Sequence, residues 1–269
     1  MALKKICIQV FSDIHLELWN KIPVIVPKAK YLFLAGDICQ LNNQYFYPFL
    51  DYCSSNWEKV FYTPGNHEYY SKKRNFNELE FEYNYRIGEK YKNIFYLNNK
   101  VVPLDEEINV YGTTFWTIPQ FETTYEVKQY LNDYHQISYF NKDLNKVVDL
   151  DIGYVKLIAE ESYTMLNKYL NENNKPTIVM THFPPQRNNT SAPKYLALDR
   201  EQDKYFSWPN DTLENLKLDN VMAWISGHTH WSYNFKSNGI NLISNQLGYR
   251  TEIGRTGLNE DGLYEITIS

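Results

Sequence analysis

Aspartates, histidines and an asparagine recur in this 269-residue chain at spacings suited to holding metal ions. Asp13 and His15 lie two residues apart, as do His228 and His230. In extended chain, residues two apart project to the same side, so each pair can converge on one ion. Asp37 and Asn66 offer oxygens, and His182 offers another imidazole nitrogen. Carboxylate, amide oxygen and imidazole together suit Mn, Fe or Zn better than calcium, which favours oxygen alone. A single isolated histidine reads more simply as a hydrogen-bonded core residue. His15, His67, His182, His228 and His230 all stand among similar neighbours, which reverses that reading. His135 has no such company and is expected on the surface.

The candidate ligands follow short apolar runs rich in β-branched and aromatic residues. Ile6–Phe11 ends at Ser12-Asp13-Ile14-His15, Tyr31–Ala35 at Gly36-Asp37, and Val60–Thr63 at Pro64-Gly65-Asn66-His67. Ile178–Met180 ends at Thr181-His182, and Val221–Ile225 at Ser226-Gly227-His228-Thr229-His230. Runs of this length bounded by Gly and Pro predict buried strands. Between them, Gln44–Ser55, Phe76–Tyr91 and Val155–Leu170 carry apolar residues at helical spacing. Alternating strands and helices predict an α/β architecture, whose strand ends gather their loops at one edge. Gly36, Gly65 and Gly227 each precede a candidate ligand, where the backbone must turn and approach closely. Asn238-Gly239 predicts a two-residue hairpin, and Gly262–Ile268 a last strand in a more antiparallel C-terminal region.

The ordered series Asp13-Ile14-His15, Gly36-Asp37, Gly65-Asn66-His67-Glu68, His182 and Gly227-His228-Thr229-His230 resembles the calcineurin-like metallophosphoesterase superfamily. The resemblance spans Asp13 to His230 and implies a four-layer β-sandwich flanked by helices, with mixed sheets. It implies that Asp13, His15 and His230 hold one divalent cation, that Asn66, His182 and His228 hold another, and that Asp37 bridges the two. His67 would lie beside the metals as the residue that stabilises the transition state or protonates the leaving oxygen. The reaction implied is attack of a metal-bridging hydroxide on a phosphate ester, with the cations roughly 3.5–4 Å apart. One position departs from the pattern. Many members carry an acidic residue three positions after the bridging aspartate, where it orients the histidine of the Gly-Asn-His block. Here that position is Gln40, which cannot stabilise an imidazolium by charge. The phosphoprotein phosphatases' Gly-Asp-x-x-Asp-Arg-Gly block is absent, which argues against a protein phosphatase.

Composition narrows the substrate. Hydrophobic residues are 43% and charged residues 22%, the balance of a globular protein. The net charge is -5, with 27 basic and 32 acidic residues and no basic run. That excludes the electrostatic footprint of a protein gripping long nucleic acid tightly and leaves a small phosphate-ester substrate. A nuclease would need a positive or aromatic track to the metals. A non-catalytic scaffold that keeps the fold would be expected to lose ligands, and none is missing. No segment approaches membrane-spanning length. Cys7, Cys39 and Cys53 form no even disulfide set, so free thiols, all packed in the core, in a reducing cytoplasm are expected. The length suits one domain over 1–269, with surface insertions near 118–146 and 183–210. Residues Trp116, Asn132, Asp133, Tyr134, Arg187, Tyr249 and Arg250 could reach over the site or simply pack in solvated loops. Oligomeric state is not legible.

Overall fold

The computed structural model describes residues 4–19, 21–118, 123–197 and 212–268. In chain order the main elements are β1 (Lys4–Phe11), β2 (Tyr31–Ala35), α1 (Phe46–Asn56), β3 (Lys59–Thr63), α2 (Phe76–Lys90), β4 (Ile94–Tyr96), β5 (Lys100–Pro103) and β6 (Asn109–Thr113). They continue through α3 (Thr124–Lys128), α4 (Asp133–Gln136), β7 (Ser138–Asn141), β8 (Lys146–Asp149), α5 (Ile152–Glu172), β9 (Thr177–Thr181) and α6 (Pro193–Ala197). The chain closes with β10 (Val221–Ser226), β11 (Tyr233–Ser237), β12 (Ile240–Ser244) and β13 (Leu263–Ile268).

Two mixed sheets form the centre. One has the order β13-β1-β2-β3-β4, the other β11-β12-β10-β9-β6-β5. Strands β1 to β4 run parallel, with β13 antiparallel on β1. In the second sheet β6, β9, β10 and β12 are parallel neighbours, flanked by antiparallel β5 and β11. The period of two along each strand sorts side chains between layers. Phe33, Ala35 and Phe61 face Val110, Ile178, Met180 and Ile225 in the core between the sheets. Leu32, Leu34, Val60 and Tyr62 face the other way, against α1 (Phe49, Leu50, Cys53) and α2 (Leu79, Tyr83, Ile87). Because both faces are covered, the parallel strands read as near-continuous apolar runs.

Helix α5 spans two regions. Val155, Ile158 and Ala159 pack into the cluster under α1 and α2, while Leu166 and Leu170 cover the outer face of the second sheet beside Val179 and Trp224. Asp151 caps its start by accepting from Tyr154 N. The Asn238-Gly239 hairpin forms between β11 and β12, with both residues at positive φ (48° and 83°) as its turn type requires. β13 pairs antiparallel with β1, as the C-terminal pattern predicts.

The 118–146 stretch carries α3, α4 and β7, and β7 pairs with β8. Its Val127, Tyr134, Ile137 and Tyr139 are buried in the same core as α1 and α2. Residues 198–210 of the second expected insertion lie outside the described residues. Cys39 and Cys53 are buried as expected, but Cys7 is exposed. It alternates with Ile6 and Ile8, which take the inter-sheet face, so its side chain falls on the outward one. No described helix is long and apolar enough to cross a membrane.

Candidate metal centre

The C-terminal ends of β1, β2, β3, β9 and β10 meet where the two sheets abut, and each delivers one block of polar residues. The loops interlock through main chain: Asp13 N donates to Gly36 O (3.0 Å), His15 N to Asp37 O (2.9 Å) and Gly227 N to His182 O (2.9 Å). Five candidate ligands sit in the left-handed region, with φ of 52° at Asp13, 49° at His15, 53° at Asp37, 75° at His228 and 51° at His230. Such a conformation costs on the order of 1–3 kcal/mol per non-glycine residue and persists where surroundings over-determine it, commonly at functional sites. Gly65 is forced by crowding: a Cβ there would meet Asp37 Oδ1, lie 2.6 Å from Asp37 N and 2.8 Å from His182 Cε1.

Three overlapping groups of potential ligands result: Asp13, His15 and His230; His15, Asp37 and His67; and Asp13, Asp37 and His182. Asp37 links them. Its Oδ1 lies 3.5 Å from His182 Nε2, while its Oδ2 lies 3.7 Å from His15 Nε2 and 3.9 Å from His67 Nε2. Burial pushes the Asp37 carboxyl well above the usual carboxylate range.

Second partners settle which nitrogen each imidazole turns inward. His182 Nδ1 donates to Ala35 O at 2.9 Å, which turns Nε2 inward, 3.0 Å from Asn66 Oδ1, where in the neutral form it would present its lone pair. Atoms of His182, Asn66 and Asp37 that can each offer a lone pair thus converge, which suits a divalent cation. His15 Nδ1 faces Glu17 Oε1 at 3.1 Å and turns Nε2 toward His230 Nε2, also at 3.1 Å. Burial first, then neighbouring imidazoles, push His15 down to about 4, so its inward nitrogen is a free lone pair at neutral pH. His230 behaves oppositely. Burial alone would lower its pKa, but Asp13 and Glu252, the latter 2.6 Å from Nδ1, raise it to about 10. A proton on His230 therefore supplies positive charge beside Asp13 in the metal-free protein, and a cation would take over that charge. The donor set fits divalent cations.

His228 is placed differently from the rest. Its backbone N–H donates to both Asp13 oxygens at 3.0 Å. Its ring lies against Phe183, with centroids 4.0 Å apart, and 5.2 Å from the His182 ring. It borders the centre, and the three compact groups among the described residues form without its ring nitrogens.

Four carboxylates outside the candidate ligand set hold this arrangement, among them Asp133, one of the residues that could reach over the site. Glu68, closing the Gly65-Asn66-His67-Glu68 block, is buried and accepts from Asp37 N (3.0 Å), Ile38 N (2.8 Å), Gly65 N (2.7 Å) and Tyr62 Oη (2.7 Å). It splints two ligand loops together. Glu252 orients His230 while accepting from Tyr249 N at 2.9 Å. Asp133 accepts from Asn66 Nδ2 at 2.8 Å.

Glu17 answers the departure at Gln40. Its Oε1 lies 3.1 Å from His67 Nδ1 as well as from His15 Nδ1. Burial would raise the Glu17 carboxyl, yet hydrogen bonds from His15 and His67 bring it down to about 2. The charge that Gln40 lacks is thus supplied from two residues beyond His15. The signal was the short spacing itself, which places Glu17 on the first turn after the ligand. Glu17→Gln should keep both hydrogen bonds but lose the charge, lowering turnover roughly 10-fold, in the range seen for residues that orient metal-bound imidazoles. Steady-state kinetics with saturating Mn²⁺ check this, and wild-type turnover would place the orientation of His67 elsewhere.

His135 is exposed, as expected, its Nε2 within 2.6 Å of Lys128 O. Trp116 is buried in the core. Tyr249 packs against the centre, 4.7 Å from the His15 ring and 4.4 Å from that of His230, while the Arg250 guanidinium lies 5.6 Å from the Trp19 ring. Asn132 is exposed, and Tyr134 is buried in the core.

Parallel strands ending in an aspartate- and histidine-lined centre define a metallophosphoesterase. Residues 8–232 match the calcineurin-like phosphoesterase family, and the chain belongs to that family. It is 31% identical over 232 residues to an uncharacterized protein of Acanthamoeba polyphaga mimivirus, covering 82% of this chain and 79% of that one. Among solved structures it is similar to the phosphopantetheinyl hydrolase of Mycobacterium tuberculosis, with a TM-score of 0.67, 16% identity, and 96% and 94% of the two chains covered. At that identity the likeness is one of fold.

Proposed function

We propose that the chain hydrolyses small phosphate esters, phosphodiesters or phosphomonoesters, at a binuclear centre. Asp13, His15 and His230 would hold one divalent cation and Asn66, His182 and His228 the other, with Asp37 shared between them. The observation that carries this reading is the split of Asp37, with one oxygen toward His182 and the other toward His15. The mixed oxygen and nitrogen donors favour Mn, Fe or Zn. When bound, such a pair lowers the pKa of the attacking water and neutralises charge developing on the phosphoryl group.

The chain's own residues do the rest. His67 N donates to Asp37 Oδ1 at 2.9 Å and so fixes the bridging carboxylate. The His67 side chain is 15% exposed, partly accessible like those of His228 and His230, whereas His15 and His182 are buried. Glu17 anchors its Nδ1, and Nε2 faces the centre, placed to protonate the leaving oxygen. Ser12 Oγ and His228 N hold the Asp13 carboxylate, so its oxygens keep their aim. Absence of a basic run supports a small substrate, and the three unpaired cysteines support a reducing, cytoplasmic setting.

The test is a substrate panel with added Mn²⁺, comparing an aryl phosphodiester, an aryl monoester, cyclic nucleotides and single-stranded DNA. Metal-dependent cleavage of at least one small ester with DNA left intact is expected. Cleavage of DNA alone would make the chain a nuclease. Two bound metals with no turnover on any substrate would make it a scaffold.

A further inference from the structure

Asn66 can offer a cation its amide oxygen, but an amide can present its NH₂ in the same place with almost no change of shape. Something must choose between them. The Asn66 Nδ2 group lies 2.8 Å from Asp133 Oδ1, and the partner is a carboxylate, which when ionised only accepts. The NH₂ must therefore point at Asp133, and Oδ1 must point inward, where His182 Nε2 lies 3.0 Å away. The same Asp133 oxygen accepts from Tyr70 Oη at 2.6 Å. The Tyr70 ring in turn stacks on His67, with centroids 4.2 Å apart and planes 25° from parallel. One buried oxygen thus governs the ligand atom of Asn66 and the side wall of His67.

Asp133 belongs to α4, inside the 118–146 stretch and far in sequence from every ligand block. Two further bonds dock that stretch on the turn after His67: Ser71 N donates to Gln136 O at 3.0 Å, and Lys72 Nζ to His135 O at 3.1 Å. Tyr134 and Ile137 on either side of this contact are buried, so α4 is seated rather than loosely apposed.

We infer that Asp133, with Tyr70 as its second donor, is a positioning residue through which the 118–146 stretch sets the ligand atom of Asn66 and the placement of His67. The inference rests on the binuclear reading above. It makes a segment outside the five ligand blocks a determinant of the second metal site, because an undocked α4 would leave the Asn66 amide free to turn its NH₂ inward.

Mn²⁺ titration of the full chain by calorimetry, with thermal denaturation alongside, tests it. Wild type should bind two Mn²⁺. Asp133→Asn, whose amide no longer dictates the Asn66 orientation, should keep one Mn²⁺ at wild-type affinity and weaken the other roughly 10- to 100-fold, the range for residues that orient a ligand. Tyr70→Phe leaves the Asn66–Asp133 bond intact. It should bind both ions normally while kcat falls several-fold, roughly up to 10-fold, with KM little changed. If Asp133→Asn lowers only the melting temperature and binds two Mn²⁺ as wild type does, Asp133 merely packs the segment and the inference is overturned. Should Asp133→Asn fail to fold, Tyr70→Phe decides, and an unchanged kcat overturns the claim. A wild-type chain that binds no Mn²⁺ defeats the binuclear reading itself, a result distinct from both.

Discussion

Replacing Asp37 with asparagine should abolish most phosphate-ester hydrolysis while leaving the fold intact. Asparagine tolerates the left-handed backbone found at this position, φ 53°, nearly as well as aspartate does. Its amide oxygen can still accept from His67 N, the bond Asp37 Oδ1 makes at 2.9 Å. The NH₂ then replaces Oδ2, which lies 3.7 Å from His15 Nε2 and 3.9 Å from His67 Nε2, and it turns a donor toward the place where acceptors converge. In the proposed centre, a carboxylate that would join two cations becomes a neutral group whose N–H bonds face them. The loss in kcat should be at least on the order of 10²–10³-fold, the cost of removing one directed electrostatic contact from a transition state.

Stability should move differently. The wild-type carboxyl is buried and pushed well above its usual range, so a neutral amide removes an unfavourable charge burial. The metal-free variant should melt within about 2 °C of wild type or above it, a shift corresponding to less than about 1 kcal/mol in a chain of this size. Mn²⁺ at 100 times its dissociation constant should stabilise wild type by about 2.7 kcal/mol, and most of that increment should vanish in the variant. Turnover retained within about 10-fold of wild type, worth only about 1.4 kcal/mol of barrier, would remove Asp37 from the centre of the reaction.

Glu68→Gln should be the most damaging conservative change near the site. The carboxylate takes four hydrogen bonds, three of them from backbone N–H groups of the loops that carry Asp37 and Asn66. Glutamine must present NH₂ on one side. Facing Gly65 N and Asp37 N, it would orphan both. Facing Ile38 N and Tyr62 Oη, it orphans the Ile38 N–H, because the phenol can rotate to accept while a backbone amide cannot. The second orientation is cheaper, yet a buried unsatisfied donor still costs about 1–3 kcal/mol, and the remaining bonds lose their charge assistance. A total near 3 kcal/mol corresponds to a fall in melting temperature of about 6–12 °C. Because Glu68 fixes the spacing of the Gly36-Asp37 and Gly65-Asn66 turns, Mn²⁺ affinity should drop in the same variant. Melting within about 2 °C of wild type, with normal metal affinity, would show that the loops hold each other without it.

The strands and helices were legible where burial leaves a local imprint. Tyr31–Ala35 is a strand with the bounds its apolar run suggests, because helices on one side and the second sheet on the other require apolar residues at every position. Phe76 begins α2 because Asn75 and Glu78 form a reciprocal capping box, a signal confined to four residues. Cys7 misled for a related reason. Strand membership follows from local sequence, but which outward face a helix covers depends on where the helix docks. The candidate ligands were legible because each lies at a strand end in a short block whose glycine shows how tightly the chain turns.

The arms that hold those ligands were not legible. Asp133 lies 67 residues from Asn66, Glu17 lies 50 from His67, and Glu252 lies 22 from His230. Glu17 stands two residues after His15, the one local signal among them; Asp133 and Glu252 carry no periodic or motif signal, since a carboxylate that meets its partner across a fold leaves no trace in the spacing of either. Residue type and order were sufficient to indicate the metal-binding blocks, the class of chemistry and the strands that deliver them, because strand propensity and ligand chemistry are local properties. The tertiary structure alone decided which nitrogen His15, His182 and His230 turn inward, which way the Asn66 amide faces, that the His228 backbone N–H holds the Asp13 carboxylate, and that Glu17 stands beside His67 where Gln40 offers no charge. Those are properties of hydrogen-bond partners brought together from distant segments, and only the packing of the two sheets brings them within reach.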